Sequence, residues 1–274
     1  MRFAARKSTL HPNASFTVVP KDYAILESKM DGIVLINKPA GWTSFDVVAK
    51  VRNVLRTELR NEKRENRGGN NPLNPQISIQ NSSPKVKVGH TGTLDPLATG
   101  LLIIVTGTYC KRAQEFSKLD KVYETELILG TTSVTDDGEG EKTKTSAKMP
   151  SEGEVREVLN TFVGVTLQQP PAFSAIKVDG KRAYKLVREG KAVIIEPRPV
   201  TVYQISDIKY SYPAVRFTAR VSSGTYIRSL ARDTGEKLGT GAYMSSLKRT
   251  EVGNYKLADA IDVADFSLQD IRQI

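Results

Sequence analysis

The sequence predicts an α+β fold with a mixed, largely antiparallel sheet flanked by helices and loops. The stretches "VYETELILG" and "AVRFTARVS" alternate apolar and polar residues, as half-exposed strands do. The stretches "KRAYKLVREG" and "YIRSLARDTGEKLG" have helical spacing and each closes on a glycine, which is typical of a helix C-terminus. Because the helices are interspersed among long strands that look antiparallel, we do not expect a doubly wound parallel sheet.

The first predicted elements follow an N-terminal extension, residues 1–29, which lacks the apolar segment of a secretory leader. Within the next residues "IVLI" predicts a buried strand, "KPAGW" a turn, and Thr43 or Ser44 the N-cap of a helix. The apolar stripe of that helix is predicted to comprise Phe45, Val48, Val51, Val54 and Leu55.

A polar stretch at about residues 58–84 is rich in Asn, Gly, Pro, Ser and charged residues. This composition predicts a flexible insertion within one domain, residues 30–274, and not a boundary between two domains. A net-basic loop of this kind either contacts a phosphate backbone or is a passive insertion. Farther along, "LATGLLIIVTG" predicts a buried strand, "AFSAIKVDG" another strand, and "TTSVTDDGEGEKTKT" a solvated acidic loop.

The composition favours a polyanionic partner. The formal net charge is +10, which points first to nucleic acid, although charge of this size also serves solubility. A single cysteine, Cys110, excludes an intrachain disulfide framework and a cysteine-rich metal site, and it favours a reducing compartment. No apolar run approaches the roughly 20 residues that span a bilayer.

The segment "GHTGTLDPLATG" places one carboxylate, Asp95, in a loop rich in glycine and threonine. Pro96 restricts the backbone of Asp95, and the apolar strand that follows anchors the loop. A carboxylate held this firmly suits a nucleophile or a general base, although an Asx-turn is the plainer structural alternative. The ordinary pKa of His90 would also suit a general base.

The sequence lacks the residues that several other kinds of site require. Zinc requires clustered Cys and His, which are absent, and the phosphate-binding pattern GxxxxGK[ST] is missing. A glycosidase requires a second carboxylate in the site, and the acidic stretch "TDDGEGE" is more simply interpreted as solvated. We therefore expect neither a metal nor a cofactor.

Six motifs in order resemble one family. They are "GIVLINKPAGWTSFDVV", "GHTGTLDPLATGLL", "VYETELILGTTSVTDDGEG", "PPAFSAIKVDGKRAYKLVREG", "VSSGTYIRSLARDTGEKLG" and "AYMSSLKRTEVGNY". Together they resemble the TruB family of tRNA pseudouridine synthases over about residues 31–260. The resemblance implies the pseudouridine synthase fold with a central RNA-binding cleft. It also implies conversion of uridine to pseudouridine at position 55, in the TΨC stem-loop of tRNA, by base flipping.

The resemblance implies that Asp95 is the catalytic residue, either as a nucleophile or as the base that removes a ribose proton. It also implies a set of substrate- and RNA-binding residues: His90, Tyr123, Tyr226, Arg228, Leu247 and Lys38. Among these, Tyr123 matches the tyrosine that stacks on the flipped base, and Arg228 matches the arginine that pairs with the aspartate. Tyr226 and Leu247 line the pocket, Lys38 supports the loop, and His90 contacts RNA.

The expected partner is tRNA, with no obligate protein partner and no membrane. We expect a cytoplasmic monomer without the C-terminal PUA domain that bacterial family members commonly carry. Two alternatives stay open at this point. The enzyme acts on another RNA hairpin, or the chain is an RNA-binding or chaperone protein that does not rely on catalysis.

Overall fold

A ten-stranded mixed sheet organises the residues that the computed structural model describes, namely 28–65, 85–174, 176–178, 180–191, 193 and 195–274. In chain order the strands are β1 (Gly32–Lys38), β2 (Val88–His90), β3 (Thr99–Thr106), β4 (Lys121–Leu129), β5 (Thr131–Ser133), β6 (Lys142–Lys144), β7 (Gly164–Gln168), β8 (Lys177–Val178), β9 (Lys181–Arg182), β10 (Arg198–Ser211), β11 (Ala214–Val221), β12 (Ala242–Val252), β13 (Tyr255–Lys256) and β14 (Ile261–Asp262). The α-helices are α1 (Ser44–Glu65), α2 (Ala113–Ser117), α3 (Glu152–Asn160), α4 (Ala183–Arg188) and α5 (Ile227–Leu238). Short 3₁₀ turns cover Gly107–Arg112, Leu257–Asp259 and Leu268–Asp270.

The order of the main sheet is β14-β1-β3-β12-β4-β11-β10-β7, with β2 paired to β3 and β13 paired to β12. Only the pairs β1–β14 and β3–β12 are parallel, so the sheet is largely antiparallel, as predicted. The remaining strands form two small hairpins, β5–β6 and β8–β9. The α+β prediction is confirmed.

Strands β1 and β3 lie deep in the sheet and are buried on both faces. In β3, Leu102 and Ile104 pack into the core beneath α1, α3 and α5, whereas Leu101 and Ile103 pack into a second cluster around Phe116 on the other face. A strand that is covered on both faces has no need for polar residues, which explains the uninterrupted apolar run "LLIIV". The segment "GHTGTLDPLATG" therefore leads into a strand that is packed on both faces.

Helix α1 begins at a capping box. The Oγ1 atom of Thr43 accepts a hydrogen bond from the Asp46 amide (3.1 Å), and the Asp46 carboxylate accepts one from the Thr43 amide (2.8 Å). Of the predicted apolar stripe, Val48, Val51 and Leu55 are buried and Val54 packs against the core. Phe45 was wrongly included in that stripe, because it is 64% exposed and Val47 takes the buried position in the first turn.

The predicted insertion at 58–84 begins too early, because α1 continues to Glu65 with Leu59 buried in the core. Residues 66–84, like residues 1–27 of the extension, lie outside the described residues. The predicted loop "TTSVTDDGEGEKTKT" is also partly wrong, since its ends pair as the hairpin β5–β6. The strand predicted within "AFSAIKVDG" is only two residues long. The glycine that closes α5 is as expected, with Gly239 in the left-handed conformation at φ 69°.

Candidate active site

Asp95 lies in the loop that joins β2 to β3. The loop closes on itself, because the Asp95 carbonyl accepts a hydrogen bond from the Ala98 amide (3.0 Å) and the Thr91 amide donates to the Ile103 carbonyl (3.1 Å). About a third of the Asp95 side chain, 34%, remains exposed. The carboxylate is thus held by its backbone and still open to a substrate.

The segment between β1 and α1 holds this loop from one side. Ser44 Oγ is 3.0 Å from the Leu94 carbonyl and accepts a hydrogen bond from the Leu94 amide at 2.8 Å. The Gly41 amide donates to the Pro96 carbonyl (2.8 Å). Both chain neighbours of Asp95 are therefore fixed by residues of the first predicted motif.

Lys38 is completely buried beneath the same loop. Its ammonium group donates to the carbonyls of Trp42 (2.6 Å), Pro39 (2.9 Å) and Pro96 (3.3 Å). Burial lowers the pKa of Lys38 to about 8, although the charge of Asp95 acts in the opposite direction. No part of the side chain is exposed, so Lys38 acts on the loop from within.

Arg228 enters the site from the first turn of α5 and is almost fully buried. Its Nε atom lies 3.1 Å from Oδ2 of Asp95. Its Nη1 atom donates to the Thr135 carbonyl (3.2 Å) and to Asp137 (3.4 Å), and Nη2 donates to the Phe173 carbonyl (3.1 Å). Both terminal nitrogens of the guanidinium thus have acceptors, so the group is fixed in the orientation in which Nε faces Asp95.

Asp137 is the residue that the sequence analysis missed, because "TDDGEGE" was interpreted as solvated. It is only 2% exposed, and its Oδ1 atom accepts hydrogen bonds from Thr135 Oγ1 (2.5 Å) and from the Glu139 amide (3.0 Å). Runs of Asp, Gly and Glu are typical of exposed turns, so composition does not reveal this burial. The spacing of Thr135 and Asp137, which lets the hydroxyl bond the carboxylate, was the available clue.

Burial and the neighbouring charges shift the pKa of Asp95 in opposite directions. Burial raises the pKa of Asp95 and the charge of Asp137 raises it further, whereas Arg228 and Lys38 lower it. The net direction is upward, because the removal of water disfavours the charged carboxylate more than the cations favour it. These surroundings therefore make the carboxylate more basic than an ordinary aspartate.

Tyr123 and Leu247 lie on neighbouring strands, β4 and β12. Tyr123 pairs with Arg249 across the strands, and Leu247 pairs with Thr125. Directly opposed residues point to the same face of a sheet, and Tyr123 belongs to the core cluster on the face covered by α5. Only 8% of Tyr123 is exposed, so a base that stacks on it must enter a narrow space.

Tyr226 is the N-cap residue of α5, two positions before Arg228. Its backbone is clamped by the Gln168 side chain, which accepts from the Tyr226 amide (2.8 Å) and donates to the Tyr226 carbonyl (3.0 Å). Burial is the largest cause of a raised pKa of the Tyr226 phenol. The phenol therefore stays protonated beside Asp95 and Arg228.

His90 ends β2 and is half-buried. Its Nδ1 atom is buried and has no hydrogen-bond partner among the described residues. Burial lowers the pKa of His90, and the charge of Arg249 lowers it further, so the imidazole is neutral at pH 7. Nothing in the described residues connects this ring to Asp95 by a hydrogen bond.

Comparison with known proteins identifies the family of this chain. A family model described as "TruB family pseudouridylate synthase (N terminal domain)" matches residues 80–227, and one described as "tRNA pseudouridylate synthase B C-terminal domain" matches residues 228–272. The chain belongs to the TruB family. Its predicted relationship is thereby confirmed on a span that contains Asp95, Tyr123, Tyr226 and Arg228.

Relatives of this TruB family member carry the name tRNA pseudouridine synthase B. The protein of Bacteroides fragilis is 40% identical over 239 residues, which cover 86% of this chain and 92% of that one. The protein of Clostridium kluyveri is 40% identical over 232 residues, covering 85% of this chain and 71% of that one. The similarity therefore extends over most of the lengths of these proteins.

Solved structures confirm the pseudouridine synthase fold. The TruB family member superimposes on a chain of "Crystal Structure of a Cbf5-Nop10-Gar1 Complex" with a TM-score of 0.61, at 26% identity over 88% of this chain and 55% of the other. A chain of "Structure of H/ACA RNP bound to a substrate RNA containing 2'-deoxyuridine" gives a TM-score of 0.58 at 24% identity, over 88% of this chain and 54% of the other. This chain spans about half the length of both.

In the part of the chain that the structure describes, no three His, Cys, Asp or Glu side chains are grouped as metal ligands. Among the described helices, none is long and apolar enough to cross a membrane.

Proposed function

We propose that this chain isomerises uridine to pseudouridine in the TΨC stem-loop of tRNA, at position 55, and that Asp95 is its catalytic residue. The observation that carries the proposal is the ion pair of Asp95 with a buried, fully bonded Arg228, in a chain whose relatives are named tRNA pseudouridine synthase B. Binding RNA does not require such a pair. It suits a reaction in which one carboxylate has to be ionised and aimed.

The reaction needs little besides this carboxylate. The bond between N1 of the base and C1′ of the ribose breaks, the base turns, and C5 forms the new bond to C1′. The proton that leaves C5 is balanced by one gained at N1, so no oxidant, reductant or co-substrate is consumed. Asp95 either attacks the sugar as a nucleophile or removes a ribose proton, and both roles require the ionised carboxylate.

The target base has to leave its stack, which costs a few kcal/mol. Tyr123 offsets this cost by stacking on the flipped base, since an aromatic stack contributes about 1–3 kcal/mol. Tyr226 and Leu247 line the same space beside Asp95. A neutral His90 at the end of β2 contacts the RNA next to the flipped nucleotide and takes no part in proton transfer.

The decisive experiment compares Asp95→Asn with the unaltered protein on a TΨC stem-loop labelled with tritium at C5 of the target uridine. We expect Asp95→Asn to bind the stem-loop with unchanged affinity and to release no tritium. Asp136→Asn is the matched control, because Asp136 contacts Arg232 and not Arg228, and it should keep its activity. Tritium release by Asp95→Asn at the normal rate would refute the proposal.

The substrate is tested separately by mapping pseudouridine in all RNA of cells that lack the gene. Loss of the modification at position 55 of tRNA alone supports the proposal. Loss from other hairpins identifies a different RNA target, and no loss at all favours an RNA-binding protein without catalysis. The monomeric state and the absence of a protein partner also remain predictions, checked by the mass of the purified protein with and without tRNA.

A further inference from the structure

Arg249 is a buried cation that the activity described above leaves unexplained. It lies in β12, is 2% exposed, and forms no ion pair with a carboxylate of the described residues. Its guanidinium donates instead to two backbone carbonyls, from Nε to Leu101 (2.7 Å) and from Nη2 to Gly92 (3.1 Å). Burying a charge without a counter-charge is costly, so this arrangement is not explained as a means of stabilising the fold.

The two carbonyls belong to the two ends of the loop that carries Asp95. Gly92 lies three residues before Asp95, and Leu101 lies six residues after it. A guanidinium has several donors in a rigid plane, so one side chain can fix the separation between two acceptors. Arg249 therefore spans the base of the loop, whereas Ser44, Gly41 and Lys38 act near its tip.

The backbone of Arg249 fixes the same end of the loop by direct packing. Gly100 pairs with Arg249 where β3 and β12 run parallel. A Cβ atom on Gly100 would lie only 2.3 Å from the Arg249 carbonyl oxygen, and Gly100 has a φ of 100°, which favours glycine. The register of β12 against β4 shifts directly after Arg249, between Arg249 and Glu251. The strand is thus locally adapted where it meets the loop.

We propose that Arg249 is a positioning residue, which sets the distance between the two ends of the Asp95 loop and so aims the carboxylate at the space beside Arg228. The inference rests on the proposed function of Asp95. Arg249 acts through the loop and does not touch the substrate. A second consequence is electrostatic. The guanidinium adds a fixed positive charge near His90, which disfavours the imidazolium form of that side chain.

The test uses Arg249→Met, which removes both hydrogen bonds and the charge but keeps much of the volume. The matched control is Lys121→Met, since Lys121 is also buried and also donates to two carbonyls, those of Ser117 (2.6 Å) and Leu119 (2.5 Å), away from the loop. We expect the single-turnover rate of Arg249→Met at saturating tRNA to fall roughly 10- to 100-fold, the effect of misplacing a reacting group. Its affinity for tRNA should stay within about 3-fold of normal, because Arg249 is buried and acts on the loop.

Two further measurements separate positioning from general damage to the fold. The Ala98 amide, which closes the loop on Asp95, should exchange with solvent faster in Arg249→Met and at the normal rate in Lys121→Met. The pKa of His90, followed by NMR in a chain with only two histidines, should rise in Arg249→Met. Normal catalysis in Arg249→Met would overturn the proposal, and so would slow catalysis with unchanged exchange at Ala98.

Arg249→Lys keeps the test decisive if Arg249→Met does not fold. A lysine retains the charge, but one ammonium group cannot reproduce the planar pair of bonds, so we expect slow catalysis, fast exchange at Ala98 and a normal pKa of His90. Full activity with normal exchange in Arg249→Lys would overturn the proposal. If the unaltered protein forms no pseudouridine, the proposed function fails, while amide exchange still reports whether Arg249 fixes the loop.

Discussion

The Nε atom of Arg228 lies 3.1 Å from Oδ2 of Asp95, and the remaining nitrogens of the same guanidinium are bonded to other acceptors. The pair is consequently an oriented one, in which the arginine cannot turn away without losing several hydrogen bonds. One side chain, that of Arg228, thus both faces Asp95 and bonds the residues that surround it.

Replacing Arg228 by lysine should slow catalysis much more than it weakens binding. A lysine can face Asp95 or Asp137 but cannot hold both and also bond the Phe173 carbonyl. We expect a fall of roughly 100-fold in the single-turnover rate with little change in the dissociation constant for tRNA. Arg232→Lys, one turn later in α5, is the control. An equal loss in both variants would argue against a specific role for Arg228.

The rate should fall in acid as Asp95 becomes protonated. Burial raises the pKa of Asp95, and Arg228 counters that rise. Arg228→Gln removes the countering charge, so the pKa should rise further and the acid limb of the rate profile should move to higher pH. Single-turnover rates measured from acid to neutral pH test this. A limb that stays in place would show that another group controls it.

Asp95→Asn should make the protein more stable at neutral pH. A carboxyl whose pKa is higher in the folded than in the unfolded chain stabilises the fold at low pH and loses that contribution as the pH rises through the folded pKa. The amide has no such loss. We expect the melting temperature of Asp95→Asn to exceed that of the unaltered protein at neutral pH, and the difference to vanish in acid. A lower melting temperature at neutral pH would contradict this.

Asp137→Asn should slow catalysis without affecting folding severely, because the amide keeps the shape and one acceptor of the buried side chain. The substitution neutralises the second carboxylate on Arg228 and so alters the orientation of the guanidinium towards Asp95. We expect a rate roughly 10-fold lower, as when a group that orients a reacting side chain is lost. Asp136→Asn provides the comparison, and indistinguishable rates for the two variants would exclude this role.

Tyr123 should be replaceable by phenylalanine and not by leucine. Phenylalanine retains the ring that stacks on a base, whereas leucine loses about 1–3 kcal/mol of stacking, which corresponds to roughly 5- to 150-fold in catalytic efficiency. Activity of both variants on the stem-loop measures the difference. If leucine matches phenylalanine, Tyr123 is a core residue that does not act on the base.

The sequence alone predicts those helices and strands in which the local pattern of apolar and polar residues matches the burial that the structure shows. The run "LLIIV" is apolar because both faces of β3 are covered, and Gly239 ends α5 because a left-handed residue is needed there. The prediction that Phe45 is buried is wrong because helical spacing cannot identify which residue of the first turn points to water. Position in the first turn is decided by the capping box at Thr43, which sets the start of the helix.

The site was predictable where residues belong to motifs and unpredictable where burial comes from distant contacts. Asp95 stands out because of its loop, but Asp137 is buried by residues distant in the chain, with Arg228 of α5 and Met244 of β12 packed against it. The role of Arg249 could not be predicted, since its acceptors are backbone carbonyls of β3 and of the Asp95 loop, which no side-chain pattern reveals.

The pairing of β3 with β1 on one side and β12 on the other has a consequence for protein engineering. The stem of the Asp95 loop lies between two neighbouring strands, and Gly100 leaves no room for a side chain against Arg249. Libraries that aim at a new RNA target should therefore leave residues 99–106 and 247–250 unchanged. Diversity belongs at exposed positions around Asp95, where a new contact can be gained without a change in the register of the sheet.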